Sequence, residues 1–239
     1  MADHGGSLEA IAASVQGHLD AALAELSAAA AAACSLLAGA EQQGRRPVRA
    51  DLAGIREKLQ ACLHRPEPPM DGIGIAVAAD YLADSAYWLE WWRLGRGGGL
   101  EFVAHSLNPR RDAFYDYSSR SWFSSPAASG QTTVTGPYVD IGGTNAYTVT
   151  LSLPLITGAG FAGVAGADIP AARFERFLVG PGRGLQPMVL ANADLRVIAS
   201  SSADHLPGAL LEDRLADSPN KVPVAAGLHG QAPWFLLLL

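Results

Sequence analysis

The sequence is poor in the residues from which metal and cofactor sites are built. Cysteine occurs twice in 239 residues, at Cys34 and Cys62. Two are too few for a zinc set or a dense disulfide framework, so reduced thiols are expected. The six histidines, His105 and His205 among them, show no His-Glu-x-x-His pair or other ligand spacing. No Gly-x-Ser-x-Gly elbow or phosphate-loop fingerprint occurs, and Gly95-Arg96-Gly97-Gly98-Gly99 lacks the following Lys-Ser/Thr and reads as a turn. No cofactor, no metal and no catalytic set are therefore expected. Charge is scarce too, at 17% of residues, with 17 basic against 23 acidic side chains and a net charge of -6. Phosphate binding needs clustered Lys and Arg, whereas the densest pairs here are Arg45-Arg46 and Arg110-Arg111, so nucleic acid is excluded as the main partner. Long apolar runs are missing as well. The charge-free run Leu26 to Ala40 has 15 residues, mostly alanine, against the roughly 20 apolar residues of a membrane span. The final charge-free stretch, Val222 to Leu239, is interrupted by Pro223, Gly227, Gly230 and Pro233. The first residues carry an acid and no Lys or Arg, so the basic start of a secretory signal is lacking. The expectation is a soluble, cytoplasmic protein without a membrane span.

What is present is a chain able to close a core, with 49% hydrophobic residues. Leu8, Ile11, Val15, Leu19, Leu23 and Leu26 recur every three or four positions, which predicts one long helix over residues 7 to 39, with Ser7 as N-cap and Gly39 as stop. Its alanine-rich surface suits packing or dimerisation. Leu52, Ile55, Leu59 and Leu63 mark a second helix over 50 to 63, ended by Pro66, Pro68 and Pro69. From Gly72 the texture changes to strand-like runs at 73 to 79, 87 to 94, 100 to 107, 132 to 140, 147 to 156 and 161 to 168. Gly97-Gly98-Gly99, Asn108-Pro109, Gly142-Gly143 and Gly158-Ala159-Gly160 punctuate them as turns. Pro170 opens a helix through Leu178. After the loop Gly180 to Gly184, runs at 188 to 191 and 195 to 200 flank Asn192-Ala193-Asp194 as a hairpin, and runs at 222 to 226 and 234 to 239 close the chain, with Pro223 demoting the first of them to an edge. This order predicts an α+β fold. Its expected parts are a helical region, 1-69; a main ligand-binding module, 70-180; and a smaller second module, 181-239.

The most informative stretch is Tyr115-Asp116-Tyr117-Ser118-Ser119-Arg120-Ser121-Trp122-Phe123, followed by Thr135-Gly136-Pro137-Tyr138-Val139-Asp140, then Val149 to Pro154, and Gly163-Val164-Ala165-Gly166-Ala167-Asp168. This ordered set resembles the Cache family of small-molecule sensor domains, in which an Arg-x-Trp-Tyr/Phe segment, a Gly-Pro-Tyr-x-Asp strand and a Gly-Val-x-Gly-x-Asp strand recur in this order. The resemblance covers about Ile73 to Leu178, and more weakly the tail, where Val189 to Ser200 looks like the first hairpin of the second module in double Cache domains. It implies PAS-like antiparallel sheet modules after a long N-terminal helix. It also implies that Tyr115, Arg120, Trp122, Tyr138, Asp140 and Asp168 match the pattern of amino-acid-binding members. Phe123 departs from it, since many members carry tyrosine there. Family members usually sit outside the cell and pass a signal to an attached module.

The residue chemistry is consistent with such a role. An arginine offers a planar fork that matches a carboxylate, and the Trp122 indole adds a donor. Asp140 and Asp168 are costly to bury unpaired, a cost that a ligand ammonium removes, with the Tyr115 and Tyr138 hydroxyls beside it. The expected function is recognition of a small amino-acid-like or amine-bearing ligand without turnover, with a homodimer through the N-terminal helix or a separate signalling partner. Alternatives stand beside it. Arg120 pairs with Asp140 or Asp116; Asp168 caps the helix that follows; Trp122 and Tyr138 are core aromatics; Asp140 or Asp168 is the general base of an enzyme; or the protein is structural, with its pocket collapsed. Tyr87, Trp88, Trp91 and Trp92 are divided by strand alternation between two faces, as pocket lining or core.

Overall fold

The computed structural model describes residues 8–95, 97–140, 146–179, 186–215, 221–225 and 227–239. The Ser7 cap, Arg96 in its glycine turn, the Gly142-Gly143 turn and the loop from Gly180 to Gly184 lie outside the described residues. In chain order the elements are α1 (Leu8–Gln42), a 3-10 turn (Arg49–Leu52), α2 (Ile55–Leu63), β1 (Gly72–Val77), β2 (Trp88–Leu94), β3 (Leu100–Phe102), α3 (Ser121–Ser129), β4 (Thr133–Val139), β5 (Tyr147–Thr157), β6 (Gly160–Pro170), α4 (Ala171–Leu178), β7 (Met188–Ala191), β8 (Val197–Ser200), a 3-10 turn (Asp213–Leu215), β9 (Lys221–Val224), β10 (His229–Gly230) and β11 (Trp234–Leu238). The α+β architecture with a long N-terminal helix is the one expected.

α1 buries Ile11, Val15, Leu19, Ala22, Leu26, Ala29, Ala33, Leu37 and Ala40, a stripe spaced by threes and fours. It does not stop at Gly39. The chain continues helically to Gln42 and turns at Gly44, whose φ of +72° is the left-handed conformation a helix terminus uses. At 35 residues, α1 is long and apolar enough to cross a membrane by length and composition. This leaves both the expectation of no span, which rested on the shorter alanine run, and the cytoplasmic placement without support. The second predicted helix is broken in two: a 3-10 turn, then α2 from Ile55. Asp51 holds the turn, accepting the Val48 N–H at 2.8 Å and a bidentate pair from Arg45 at 2.6 and 2.7 Å. Arg45, and then the Val48 amide, lower the Asp51 pKa to about 2.

The chain packs as two compact units. The first comprises Ala22–Thr133 and Leu151–Asp168. Its strands run in the order β5-β6-β1-β2-β3. β1 lies between antiparallel β6 and β2, and all six of its residues are buried, so it reads as a continuous apolar run rather than an alternating one. Residues opposite one another on neighbouring strands share a face. Gly72, Gly74 and Ala76 therefore lie with Trp91, Leu89, Asp168, Gly166 and Val164. Glu90 and Trp92 belong to the other face, where the Trp92 indole N–H and Arg56 of α2 both donate to Glu90, at 2.8 and 2.9 Å. β3 ends at Phe102, shorter than the predicted run to Leu107.

The second unit comprises residues up to Ala21, Val134–Thr150 and Ile169–Leu239. Its four-stranded sheet runs β8-β7-β11-β9, which puts Pro223 on an edge strand as its missing N–H requires. Trp234 is fully buried with its ring edge-on to Phe174 of α4 at 5.4 Å, and Phe174 meets His18 of α1 at 5.7 Å. Asn192 shapes the β7 to β8 turn: its carbonyl oxygen accepts the Asp194 and Arg196 N–H groups at 3.0 and 2.9 Å, and its amide donates to the Gly136 carbonyl at 2.9 Å.

Candidate ligand-binding site

Tyr115, Arg120, Trp122, Phe123 and Asp168 belong to the first unit, Tyr138 and Asp140 to the second. α3, absent from the sequence reading, positions two of the five. It begins after Arg120, whose backbone is extended, and ends at Gly130 in the left-handed conformation, φ +66°. Trp122 and Phe123 stand in its first turn and are buried against the sheet in one cluster with Ala76, Leu89, Trp91, Tyr117 and Val164. Trp122 meets Trp91 at 5.4 Å between ring centroids, and Phe123 meets Phe161 edge-on at 5.8 Å.

Tyr117 ties this cluster to the sheet. Its hydroxyl donates to the Val77 carbonyl at 2.6 Å and accepts the Trp88 N–H at 3.1 Å, bridging a register pair of β1 and β2. Burial pushes its pKa up to about 12. Tyr117→Phe leaves the half-buried Trp88 amide and the buried Val77 carbonyl short of a partner and is expected to cost about 1–3 kcal/mol, read as a lower denaturant midpoint with an unchanged slope.

Asp168 is half-buried at the end of β6, opposite Gly72, and its Oδ2 accepts the Trp91 indole N–H at 3.1 Å. It does not cap α4: the cap residue is Pro170, with no side-chain cap bond. Arg120 is exposed, its guanidinium carbon 5.4 Å from the centroid of the Tyr115 ring, which in turn stacks on His105 at 4.1 Å. Asp116 accepts the Ser118 N–H and hydroxyl, at 3.0 and 2.5 Å, and the hydroxyl bond is the main cause of its lowered pKa. Asp116 thus builds a turn. In the second unit the half-buried Tyr138 hydroxyl bonds the Thr150 hydroxyl at 2.6 Å, and the Asp140 N–H donates to the Ala146 carbonyl at 3.1 Å. Sequence reasoning missed the direct partnership of Trp91 with Asp168. Alternation separates Trp91 from Trp92, but only the register of β1 against both β2 and β6 brings Trp91 to the carboxylate.

An open cleft of about 670 Å³ lies elsewhere in the first unit, lined by Glu41, Arg45, Arg46, Asp80 and Tyr81 among others. Its polar groups serve the fold. Glu41 accepts the Tyr81 hydroxyl and the Thr157 hydroxyl, the latter at 2.8 Å, while Arg46 donates to the Asp80 and Leu82 carbonyls. The Tyr81 bond is the main reason the Glu41 pKa is lowered, and burial, then Glu41, raises Tyr81 to about 12. Tyr81 and Tyr117 both sit above the ordinary value of 10.0. Their contribution to stability is therefore complete below pH 10 and lost as pH rises toward 12. Thermal midpoints measured between pH 9 and 12 are expected to fall in that window, and less steeply in Tyr81→Phe. Among the described residues no group of three or more His, Cys, Asp or Glu side chains is arranged to hold a metal ion.

Residues 102–176 match the family model described as the methyl-accepting chemotaxis protein-like, first PDC sensor domain. No curated protein matches the chain by sequence. Solved structures match over nearly its whole length. Methyl-accepting Chemotaxis protein X aligns with a TM-score of 0.66 at 16% identity, over 97% of this chain and 95% of that one. The ligand-binding domain of the Pseudomonas aeruginosa PAO1 amino acid chemoreceptor PctC, in complex with GABA, aligns at 0.61 and 18%, over 95% and 93%. The ligand-binding domain of the Pseudomonas fluorescens chemoreceptor CtaA, in complex with L-serine, aligns at 0.60 and 14%, over 96% and 92%. The extracellular domain of the putative histidine kinase mmHK1S-Z3 is also similar, with a TM-score of 0.59 at 15% identity, over 90% of this chain and 88% of that one. All seven candidate residues fall inside the matched segment, and Trp91 lies outside it. The chain thus has the fold of the Cache-type, or PDC, chemoreceptor sensor domains, and residues 102–176 carry the sequence pattern of a first PDC module.

Proposed function

We propose that this protein is a sensor domain that reversibly binds a small amino-acid-like or amine-bearing molecule without turnover. The observation that carries the reading is Asp168, a half-buried carboxylate set beside the buried indole of Trp91, which in turn packs against that of Trp122. A carboxylate against an aromatic wall suits an ammonium group, which gains both a charge partner and ring faces. Arg120, held over Tyr115 with its fork exposed, suits the carboxylate of the same ligand. Trp122, Phe123 and Tyr115 supply apolar contact, and Tyr138 and Asp140 are proposed as further ligand contacts from their match to the family's motif order. Solved structures of the same fold hold GABA, L-Arg and L-serine, which supports this class of ligand here. The ligand module is proposed to span 70–180, with 181–239 as a reduced second module. The exposed alanine face of α1 is proposed to dimerise or to meet a signalling partner, and light scattering of the purified chain tests the dimer.

A thermal-shift screen of L-amino acids and small amines tests the reading. A ligand at a hundredfold excess over its Kd is expected to stabilise the fold by about 2.7 kcal/mol, without product formation. A screen in which no compound raises the midpoint, or in which one is converted, contradicts it.

A further inference from the structure

Glu41 stands in the last turn of α1, and donors from two other segments converge on its carboxylate. The Tyr81 hydroxyl, from the connection between β1 and β2, donates to Oε1, as does the Thr157 hydroxyl at 2.8 Å; the two hydroxyl oxygens are themselves 2.8 Å apart. The Gly158 and Ala159 N–H groups of the β5–β6 turn also bond the carboxylate. A few residues on, Arg46 donates to the Asp80 and Leu82 carbonyls, and the Ala83 N–H donates to the Pro47 carbonyl at 2.8 Å. One carboxylate thus joins the end of a helix to the turn from which β6 starts, the strand that carries Asp168. An ionised carboxylate only accepts, which suits four donors; a protonated one must itself donate, to partners that are donors already. The open cleft of about 670 Å³ that Glu41 lines admits the proton from solvent.

We propose that the Glu41 carboxylate is an acid-sensitive latch: ionised, it ties the last turn of α1 to the β5–β6 turn, and protonated, it releases both. The groups that face it leave it as the switching group. Arg45 and Arg46 stay charged throughout the acid range, the first of them paired with Asp51 at 2.6 Å. Burial raises the pKa of the Cys34 thiol, and burial, then Glu41, raises Tyr81 to about 12, so both are neutral where carboxylates titrate. The β5–β6 turn adds no titratable side chain. Asp80 is the other carboxylate on the cleft, but Arg46 is held there by its backbone carbonyl. With the Tyr81 bond first, the donors lower the Glu41 pKa from its ordinary value of 4.5. The latch is therefore complete above that value and lost as pH falls through the lowered one.

Hydrogen exchange of the full chain, read by mass spectrometry and corrected for intrinsic rates, tests the latch without any ligand. Glu41→Gln keeps the size of the side chain and mimics the protonated acid. At pH 7 it is expected to speed exchange about tenfold at residues 39–44 and 157–161, the loss of charge-assisted bonds appearing as local opening, with β1 unchanged. Wild type taken from pH 7 to about pH 3 is expected to open the same two segments, and Asp80→Asn to follow wild type at both pH values. Tyr81→Phe removes one donor and is expected to open the same segments by less, which covers a failure of the glutamine variant to fold. Exchange unchanged at both segments in the folded variants, a rise confined to one of them, or a rise that reaches β1 equally overturns the inference. So does an acid response that Glu41→Gln retains or Asp80→Asn abolishes.

Discussion

Asp168→Asn lowers the affinity for an amino-acid ligand by about 100-fold while moving the thermal midpoint by only a few degrees. The variant keeps an acceptor for the Trp91 indole N–H and removes the charge. Truncating one member of a desolvated, hydrogen-bonded charge pair costs about 2–5 kcal/mol of binding, and each 1.4 kcal/mol is about tenfold in Kd. A half-buried carboxylate, partly open to solvent, belongs near the lower end of that range. Calorimetric Kd values for wild type and variant, with a melting curve for each, check both halves of the statement. An affinity within threefold of wild type, in a folded variant, removes Asp168 from the site.

The largest effect on stability is expected at Gly163. Its φ of +150° lies in a region that side chains rarely adopt, and a Cβ there would stand 2.2 Å from the Ala76 carbonyl oxygen and 2.9 Å from Val77 Cα. Both obstacles are backbone atoms of β1, a strand bonded on both sides, so neither can move aside without opening a ladder. Gly163→Ala is expected to cost about 3 kcal/mol or more, a drop of roughly 10 °C in Tm for a chain of this size. Gly39→Ala is the contrasting change. Gly39 lies within α1, with open space around its Cβ position, and alanine there is expected to add up to about 1 kcal/mol. Paired melting curves check the two signs; equal effects would show that the close approach of β6 to β1 is not a constraint.

The elements that were legible in the sequence are those whose signal is local. The three-and-four spacing from Leu8 to Leu26 marks α1, and the paired runs around Asn192 mark β7 and β8, because side-chain period and turn chemistry are properties of neighbouring residues. The helix stop was misplaced because a glycine in an alanine-rich helix costs only about 1 kcal/mol, and nothing at Gly39 compels the left-handed turn that Gly44 makes. α3 was illegible for a different reason. Its nine residues include four serines and Pro126, poor helix formers whose helix is held by burying Trp122 and Phe123, a tertiary contribution with no local trace. The ordered motifs supplied the candidate residues, whereas Gly72 and Gly74 meet Trp91 only through strand register. Of the alternatives, Asp116 holds a turn through Ser118 and Asp168 does not cap α4.

The most direct measurement of the central claim is a calorimetric titration of the purified chain with the amino acid or amine that raises its melting temperature most, repeated with Arg120→Ala and Asp168→Asn. Saturable binding by the wild type, weakened at least tenfold by each change while both variants melt cooperatively, is the expected result. Binding that survives both changes, or a wild type that takes up no amino acid or amine, contradicts the account.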